Sequence, residues 1–265
     1  MLKIVHASFA SVDELFRYKF IGQNLDPFPG YSNDQWGIKA HNRPWIESAG
    51  DFKADQKIIE VGGAYSSLPR YLAQKYRLKA WVGDDFGEYS SDSMWTRWGD
   101  PKQLQQKFPE TKYVYKPFGI FSDEYPNNYF DRIFSVSTLE HIPEHLRLDV
   151  FKDMNRCMAP GGTQIHAIDI GIPNVKRGLF QALGDKYNIL KKMSYRFTSE
   201  VSGWIDIMKR SGIEVSVEIP NTIQMFNRKT LAESYDVVYN LYAPVNSPKD
   251  YDPTASLLVI IQKSN

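Results

Sequence analysis

This sequence of 265 residues has a single cysteine, no surplus of one charge and no long apolar runs. The single cysteine, Cys157, excludes an intramolecular disulfide and a cysteine-rich zinc site. It falls on the apolar face of a predicted helix, so we expect a buried thiol rather than a nucleophile. The 32 Lys and Arg residues nearly balance the 31 Asp and Glu residues, which gives no general attraction to nucleic-acid phosphates.

Segments suited to export or membrane insertion are also missing. The first residues, Met1 to His6, lack the apolar run of a signal peptide. No stretch approaches the roughly 18 apolar residues of a membrane span. We therefore expect a cytoplasmic protein with no membrane span. Its 42% hydrophobic and 24% charged residues are typical of a chain that buries a full core.

The first 50 residues differ from the rest of the chain. Residues 1–50 hold one amphipathic piece and then a loop-rich stretch with prolines and tryptophans, which predicts a helical and loop cap on the rest of the chain. Residues 51–265 alternate short apolar runs with helical periodicity, the pattern of βα units around a parallel sheet. Within this core we expect inserts at about residues 171–198 and 220–254.

Seven strands and several helices are predicted in this core. The helices follow the strands closely, so we expect an α/β fold with a mostly parallel sheet and helices on both faces. The predicted strands are residues 57–61, 79–82, 113–115, 131–136, 163–169, 213–217 and 256–261. The predicted helices cover about residues 68–76, 143–158, 199–210 and 230–241, the last of them within the second insert.

The turn after the first of these strands reads Glu60-Val61-Gly62-Gly63-Ala64-Tyr65-Ser66. A strand that ends in glycine and turns into a helix presents main-chain N–H groups and a positive helix end to a ligand. Dinucleotide-binding folds place glycines at the first, third and sixth positions, where this chain has Gly62, Ala64 and Ser67. The pattern therefore disfavours a nicotinamide-dependent oxidoreductase.

Two stretches of the sequence resemble class I S-adenosylmethionine-dependent methyltransferases. The turn is similar to the acidic-x-Gly-x-Gly-x-Gly loop of that family, with Ala64 and Ser66 replacing two glycines. Residues 130–142 (FDRIFSVSTLEHI) and 156–162 (RCMAPGG) resemble the family's fourth-strand block. The resemblance covers about residues 55–170. It implies a Rossmann-like seven-stranded, mostly parallel sheet with an antiparallel last strand, and S-adenosyl-L-methionine as cofactor, with S-adenosyl-L-homocysteine as product.

The resemblance also implies where the cofactor binds. The glycine loop is expected to contact its methionine and ribose portions, and an acidic residue after the second strand is expected to bind the ribose hydroxyls. Backbone groups after the third strand would hold the adenine, and residues ending the fourth would face the methionine end. The cofactor-binding residues implied in this way are Glu60, Gly62, Gly63, Ala64, Ser66, Asp84, Asp85, Phe118, Gly119, Ser135, Val136 and Ser137, with Asp85 preferred over Asp84 for the ribose.

His141 is the candidate catalytic base. It follows the fourth strand, and an imidazole titrates near physiological pH. Glu140 and His141 could instead only shape the turn into the next helix. Asp169, at the end of the fifth strand, could bind substrate or cap the following loop. His141 and His145 are four residues apart, but no third ligand accompanies them, so no metal site is expected.

The acceptor is expected to be a small molecule or a glycan or natural-product intermediate, methylated on oxygen, and not a nucleic acid. Residues 135–138 read Ser-Val-Ser-Thr rather than the Asn-Pro-Pro-Tyr-like turn of many N-methylating enzymes. The alternative is a catalytically silent methyltransferase-like binding or scaffold module. Aromatic residues in the expected cap and inserts could line an acceptor pocket or simply pack in the core: Trp36, Trp45, Tyr89, Trp95, Trp98, Phe180, Tyr187, Tyr195 and Trp204.

Overall fold

The computed structural model describes residues 1–11, 13–14, 17, 39–86, 102–171, 186–220 and 254–265, without side chains for 39–40, 171, 186–197 and 254. The predicted helix at 230–241 and most of the expected inserts lie outside these ranges. The strands are β1 (Leu2–Phe9), β2 (Lys57–Val61), β3 (Lys79–Gly83), β4 (Lys112–Val114), β5 (Phe130–Val136), β6 (Met158–Gly171), β7 (Ile213–Val215) and β8 (Thr254–Lys263). The helices are α1 (Lys39–Ala49), α2 (Leu68–Tyr76), α3 (Lys102–Lys107), α4 (Glu144–Cys157) and α5 (Lys186–Arg210), with a 3₁₀ turn at Leu139–His141.

The eight strands form one sheet in the order β4-β3-β2-β5-β6-β8-β1-β7. Strand β8 pairs antiparallel with both of its neighbours, β6 and β1, whereas the other neighbouring pairs are parallel. The predicted α/β fold with a mostly parallel sheet and an antiparallel last strand is confirmed. Since the parallel strands share one direction, the loops after β2, β3, β5 and β6 meet at the same edge, the carboxyl edge.

Both faces of the sheet are covered because successive strand residues point to opposite sides. Ile58 of β2 and Phe134 of β5 pack with α1 and α2 residues, including Trp45 and Leu72. Their neighbours along the strands pack on the other face, against residues of α4 and α5: Ile59, Ile133, Phe151, Met154, Trp204 and Met208. The near-continuous apolar runs in these strands reflect burial on both faces.

Strand β1 is the main departure from the sequence-based expectation. Leu2–Phe9 lies within the sheet, between β8 and β7, so the sheet has eight strands rather than seven. The expectation that residues 2–9 belong to a cap is therefore not met. Only partial alternation of buried side chains marks this strand, with Ile4 and Phe9 buried, which explains why the periodicity is weak. A strand whose partners lie more than 200 residues away is decided by tertiary pairing rather than local pattern.

Several element boundaries also differ from the predicted ones. Helix α4 ends at Cys157, and the Pro160-Gly161-Gly162 segment is already part of β6, where the pairing with β5 shifts register between Phe130 and Arg132. The expected buried thiol is confirmed: Cys157 is fully buried and burial raises its pKa to about 12. Helix α5 begins at Lys186, earlier than the predicted 199.

Candidate active site

The glycine loop after β2 has the backbone that a close approach to a ligand requires. Gly62 has φ +68° and its N–H donates to the carbonyl of Gly83 at the end of β3 (2.8 Å). A Cβ at Gly62 would lie 1.9 Å from Thr138 Cγ2, so no larger residue fits without displacement. Ala64, where the family motif has glycine, has φ +40°, so the loop keeps a left-handed conformation despite the substitution.

The serines that follow bring the chain into helix α2. The Ser66 hydroxyl accepts from the N–H of Leu68 (3.2 Å), the first residue of the helix, and the Ser66 N–H donates to Gly63 O (2.6 Å). Ser67 stands at the N-cap without a side-chain cap, and Pro69 occupies the first turn. Ser66 therefore closes the loop and satisfies one helix N–H group in place of glycine.

Asp84 ties the loop to the end of β3. Its Oδ2 accepts from the N–H of Ala64 (2.9 Å) and its Oδ1 accepts from the N–H of Phe86 (2.6 Å), both buried. Burial raises the pKa of Asp84 to about 7, and the adjacent Asp85 carboxylate adds to the rise, whereas the two N–H donors oppose it. Asp84 is thus used inside the protein, as a clamp between two loops.

Asp85 lies beside this clamp and is partly exposed, whereas Asp84 is buried. A partly exposed carboxylate can accept hydrogen bonds from two vicinal hydroxyls. Of the two acidic residues that the sequence left open, Asp85 therefore fits the ribose-binding role better. Glu60, also predicted, is buried behind the loop, with its Cγ 3.0 Å from the position of a Cβ at Gly63.

The segment predicted to hold the adenine is fixed by helix α4. Phe118 is buried and stacks on Tyr125 (ring centroids 4.2 Å apart), while Gly119 has φ +99°. The N–H groups of Gly119 and Phe121 both donate to Oδ2 of Asp153 (2.9 and 3.1 Å). The Gly119 N–H is therefore engaged by the protein itself, which leaves a purely backbone contact to adenine through that group unsupported.

Asp153 was not singled out from the sequence. It is fully buried and its second oxygen accepts two hydrogen bonds from Arg156, at 2.7 and 2.9 Å. Arg156 also donates to the Tyr125 carbonyl (2.8 Å). Charged residues on a helix are ordinarily solvated, and the spacing of three between Asp153 and Arg156 is typical of a surface pair. Only the packing shows that this pair anchors the loop.

The turn after β5 joins the glycine loop to the rest of the carboxyl edge. Thr138 Oγ1 donates to Gly62 O (3.3 Å), and Ser137, with φ +47°, donates its N–H to the Ala167 carbonyl of β6 (2.9 Å). Val136 is buried in the apolar core at the end of β5. Of the three residues predicted to face the methionine end, Ser137 has its side chain at the edge.

Ser135 points away from this edge. Its hydroxyl forms a hydrogen bond with Nδ1 of the buried His166 (2.9 Å). The Nε2 of His166 forms a second hydrogen bond with Oε1 of Gln164 (3.1 Å). Burial lowers the pKa of His166 to about 3, so the ring is neutral; it donates to Gln164 and accepts from Ser135. The predicted contact between the Ser135 side chain and the cofactor is therefore not supported.

A cluster of polar side chains from three parts of the chain lies on the β5 and β6 side of the edge. The Asn42 Nδ2 of α1 donates to Ser137 Oγ and to Asp169 Oδ1, both at 3.3 Å. Asn42 and Ser137 are buried, whereas Asp169 is partly exposed at the end of β6. Helix α1 therefore contacts Ser137 and Asp169, two residues predicted from the sequence to lie at the site.

Behind Asn42 lies a second pair. His41, also fully buried, contacts Glu14 Oε2 through Nε2 (3.3 Å) and Asn42 Oδ1 through Nδ1 (3.4 Å). Burial favours the neutral form of Glu14, but the hydrogen bond and charge of His41 and the hydrogen bonds from Ser11 outweigh it and lower the pKa of Glu14. The Ser11-Val12-Asp13-Glu14 sequence is a capping-box pattern, and Ser11 and Glu14 make its reciprocal contacts.

His141 does not join these residues in the part of the chain that the structure describes. Its side chain is 80% exposed on the 3₁₀ turn, and its Nε2 lies 3.7 Å from Oε1 of Glu140, which is 12% exposed. The predicted base therefore sits beside the site, on its outer surface. Among the described residues, no group of three or more His, Cys, Asp or Glu side chains is placed to hold a metal ion.

Two of the aromatic residues considered for an acceptor pocket have described side chains, and both belong to the core. Trp45 of α1 is 5% exposed and Trp204 of α5 is 1% exposed, each inside an apolar cluster. The core-packing interpretation therefore holds for these two. The side chains of Trp36, Tyr89, Trp95, Trp98, Phe180, Tyr187 and Tyr195 lie outside those described. None of the described helices is both long and apolar enough to cross a membrane.

Comparison with known proteins finds similarity only among solved structures. No protein-family model matches the sequence, and no curated protein matches it significantly. Among solved structures, the chain is similar to a Methanococcus maripaludis protein provisionally described as an S-adenosyl-L-methionine-dependent methyltransferase (14% identity, 95% of this chain and 94% of that chain, TM-score 0.48). It is also similar to Haemonchus contortus phosphoethanolamine N-methyltransferase 2 (15%, 95% and 57%, TM-score 0.46). A third is Streptomyces coelicolor geranyl diphosphate C-methyltransferase (7%, 83% and 78%, TM-score 0.42).

Likeness at this level concerns architecture and carries no argument about activity or acceptor. The chain's own strand order, with one antiparallel strand in an otherwise parallel sheet, and its left-handed glycine loop are the stronger observations. Together they give this chain a Rossmann-like α/β fold.

Proposed function

We propose that this chain is an S-adenosylmethionine-dependent methyltransferase whose acceptor is a hydroxyl group of a small molecule or of a glycan or natural-product intermediate. One observation carries the proposal: the left-handed Gly62 to Ala64 loop is clamped by buried Asp84, so that Asp85 stands partly exposed beside it. A near-neutral net charge of +1 supports a small acceptor over a nucleic acid. We also propose a cytoplasmic location, in keeping with a free thiol.

The residues at the edge fit the cofactor on chemical grounds. The loop offers backbone without side chains at Gly62 and Gly63, where a Cβ would meet neighbouring atoms at 1.9 and 3.0 Å. Asp85 offers the carboxylate for the ribose hydroxyls, and Ser137 stands at the methionine end. When bound, the sulfonium supplies an intrinsically reactive methyl group, so the protein's task is alignment of the acceptor and removal of its proton. We refer below to Gly62–Ala64, Asp84–Phe86 and Phe118–Gly119 as the cofactor side.

A catalytically silent module is the second candidate. It is favoured by the exposure of His141, the base that the sequence suggested, and by the loss of two motif glycines at Ala64 and Ser66. Such a module would transfer no methyl group to any acceptor.

Calorimetry with S-adenosyl-L-methionine and S-adenosyl-L-homocysteine tests the cofactor site directly. The wild-type protein should bind both, and Asp85→Asn should weaken binding about tenfold, because each charge-assisted hydrogen bond contributes roughly 1.5–3 kcal/mol. Gly62→Val should weaken it at least a hundredfold, because the new side chain overlaps Thr138.

Gly203→Ala is the matched control for the glycine substitution. Gly203 lies on an exposed position of α5, and no atom lies within 4 Å of the place that a Cβ would occupy, so its alanine variant should bind like wild type. Failure of the wild-type protein to bind either compound would exclude the methyltransferase function.

A further inference from the structure

On the β5 and β6 side of the carboxyl edge, four side chains contact one another in sequence. The series runs from Glu14 through His41 and Asn42 to Asp169. We refer to Asn42, Ser137 and Asp169 as the acceptor side. The His41 Nε2 faces the Glu14 carboxylate and its Nδ1 faces the Asn42 amide oxygen. Both oxygens can only accept, so each of the two contacts is a hydrogen bond only when the ring nitrogen carries a proton. Both described polar contacts of the Asn42 amide nitrogen are to acceptor oxygens, which fixes which end of the amide faces the edge.

Burial is complete in the middle of this series and partial at both ends, because the Glu14 side chain is 32% exposed and Asp169 is partly exposed. His41 and Asn42 are fully buried, and Ser137 is nearly so, whereas Asp169 reaches the surface of the carboxyl edge. A buried amide that donates to one carboxylate oxygen holds that carboxylate in one orientation. The series therefore presents Asp169 outward in a fixed geometry.

Asp169 lies at the carboxyl edge of the sheet, the same edge at which the cofactor loop follows β2. Three hydrogen bonds connect the loop to Asp169: Thr138 Oγ1 donates to Gly62 O, and the Asn42 amide donates to both Ser137 Oγ and Asp169 Oδ1. An oriented, partly exposed carboxylate at this position is suited to accept a hydrogen bond from a hydroxyl group and then its proton.

We propose, on the basis of the function proposed above, that Asp169 is the base that binds and deprotonates the acceptor hydroxyl, and that Glu14, His41 and Asn42 are residues that position it. The acceptor oxygen forms a bond to the methyl carbon as the carbon–sulfur bond of the sulfonium breaks. Both electrons of that bond remain on sulfur, and the hydroxyl proton passes to the Asp169 carboxylate. The acceptor is accordingly an alcohol or a phenol.

The test uses the full chain, radiolabelled S-adenosyl-L-methionine, and a set of hydroxyl probes made of phenol, catechol, glycerol and glucose, with ethanolamine and aniline as amine probes. The wild-type protein should methylate at least one hydroxyl probe on oxygen. Asp169→Asn should lower kcat by about 100-fold or more, the usual contribution of a general base, while leaving S-adenosyl-L-homocysteine affinity within twofold. Asn42→Ala should raise the acceptor KM and lower kcat by less than Asp169→Asn.

Glu47→Gln is the matched control on the same helix. Glu47 lies on another face of α1 and accepts hydrogen bonds from Lys75 Nζ (2.6 Å) and Tyr76 OH (2.8 Å) of α2. Its substitution should lower thermal stability as Asn42→Ala does, without changing acceptor KM. If acceptor KM changed equally in Glu47→Gln and Asn42→Ala, Glu14, His41 and Asn42 would contribute only to packing and would not position Asp169.

The remaining outcomes separate this proposal from the one on which it rests. No binding of either cofactor form by the wild-type protein would remove the methyltransferase function itself. Normal cofactor binding with no hydroxyl probe methylated, or with unchanged kcat in Asp169→Asn, would overturn the role of Asp169 alone. So would a loss of S-adenosyl-L-homocysteine affinity in Asp169→Asn, or a kcat loss in His141→Ala that equals or exceeds that of Asp169→Asn.

Discussion

The two sides of the carboxyl edge are held together in different ways. On the cofactor side, main-chain groups make most of the contacts: Gly62 N–H meets Gly83 O, and Ala64 N–H meets Asp84, a residue only 20 positions away. On the acceptor side, side chains meet side chains, and Asn42 bonds to partners 95 and 127 positions away. A special main-chain conformation requires particular residue types, so it can be recognised in the sequence as a motif. A contact between side chains far apart in the sequence produces no such motif.

The segment at Phe118–Gly119 departs from this rule, because the side chain of Asp153 holds it. Removing that side chain has the largest expected effect on the free energy of unfolding. Asp153→Ala removes the acceptor for the Gly119 and Phe121 N–H groups and leaves Arg156 without its carboxylate. Breaking a buried ion pair by removing one partner costs roughly 3–5 kcal/mol. Urea denaturation should show a loss of this size, and S-adenosyl-L-homocysteine affinity should fall with it.

Asp149→Ala provides the control on the same helix. Asp149 pairs with Lys152 at 3.5 Å, and both side chains are nearly half exposed, so the expected loss is below about 1 kcal/mol. Equal losses in the two variants would mean that the β4–β5 loop does not depend on Asp153.

The buried clamp at Asp84 should give the cofactor side a distinctive pH dependence. Its pKa is raised from 3.8 to about 7, so the unfolded chain releases the proton first as pH rises. The contribution of Asp84 to the free energy of unfolding is therefore highest below pH 4 and declines as pH rises to about 7. Each unit of pKa difference corresponds to about 1.4 kcal/mol, so the decline is on the order of a few kcal/mol.

Comparing the wild-type protein with Asp84→Asn measures the titration of Asp84 together with its interaction with Asp85. The free energy of unfolding of wild type minus that of the variant should fall between pH 4 and pH 7 in urea titrations. A difference that is flat or rises with pH would contradict the burial of a protonatable carboxyl group at this position.

The smallest expected effect comes from restoring a motif glycine. Ala64→Gly relieves the left-handed backbone at φ +40°, but glycine also gains more freedom in the unfolded chain. The two effects oppose each other, so we expect a change within about 1 kcal/mol by urea denaturation. A larger loss would show that the Ala64 methyl, buried against Val82 and Phe86, contributes more by packing than it costs in conformation.

The sequence predicted much of the fold and the cofactor side. Apolar runs gave the positions of β2, β3, β5, β6 and β8 because strands buried on both faces are continuously apolar. The pair Asp84 and Asp85 was found, but only burial separates the clamp from the exposed carboxylate. Strand β1 was missed because its pairing with β8 and β7 depends on residues at the far end of the chain.

By itself, the sequence determined the features that follow from local chemistry. A glycine turn between a strand and a helix must approach its ligand through the main chain, and Cys157 on an apolar face must be buried. The tertiary structure alone decided which side chains share the carboxyl edge. It turned Ser135 inward to His166, left His141 exposed, and brought Asn42 to Asp169. These outcomes depend on how distant segments pack, because a hydrogen bond between side chains far apart in sequence imposes no periodicity or spacing on either segment.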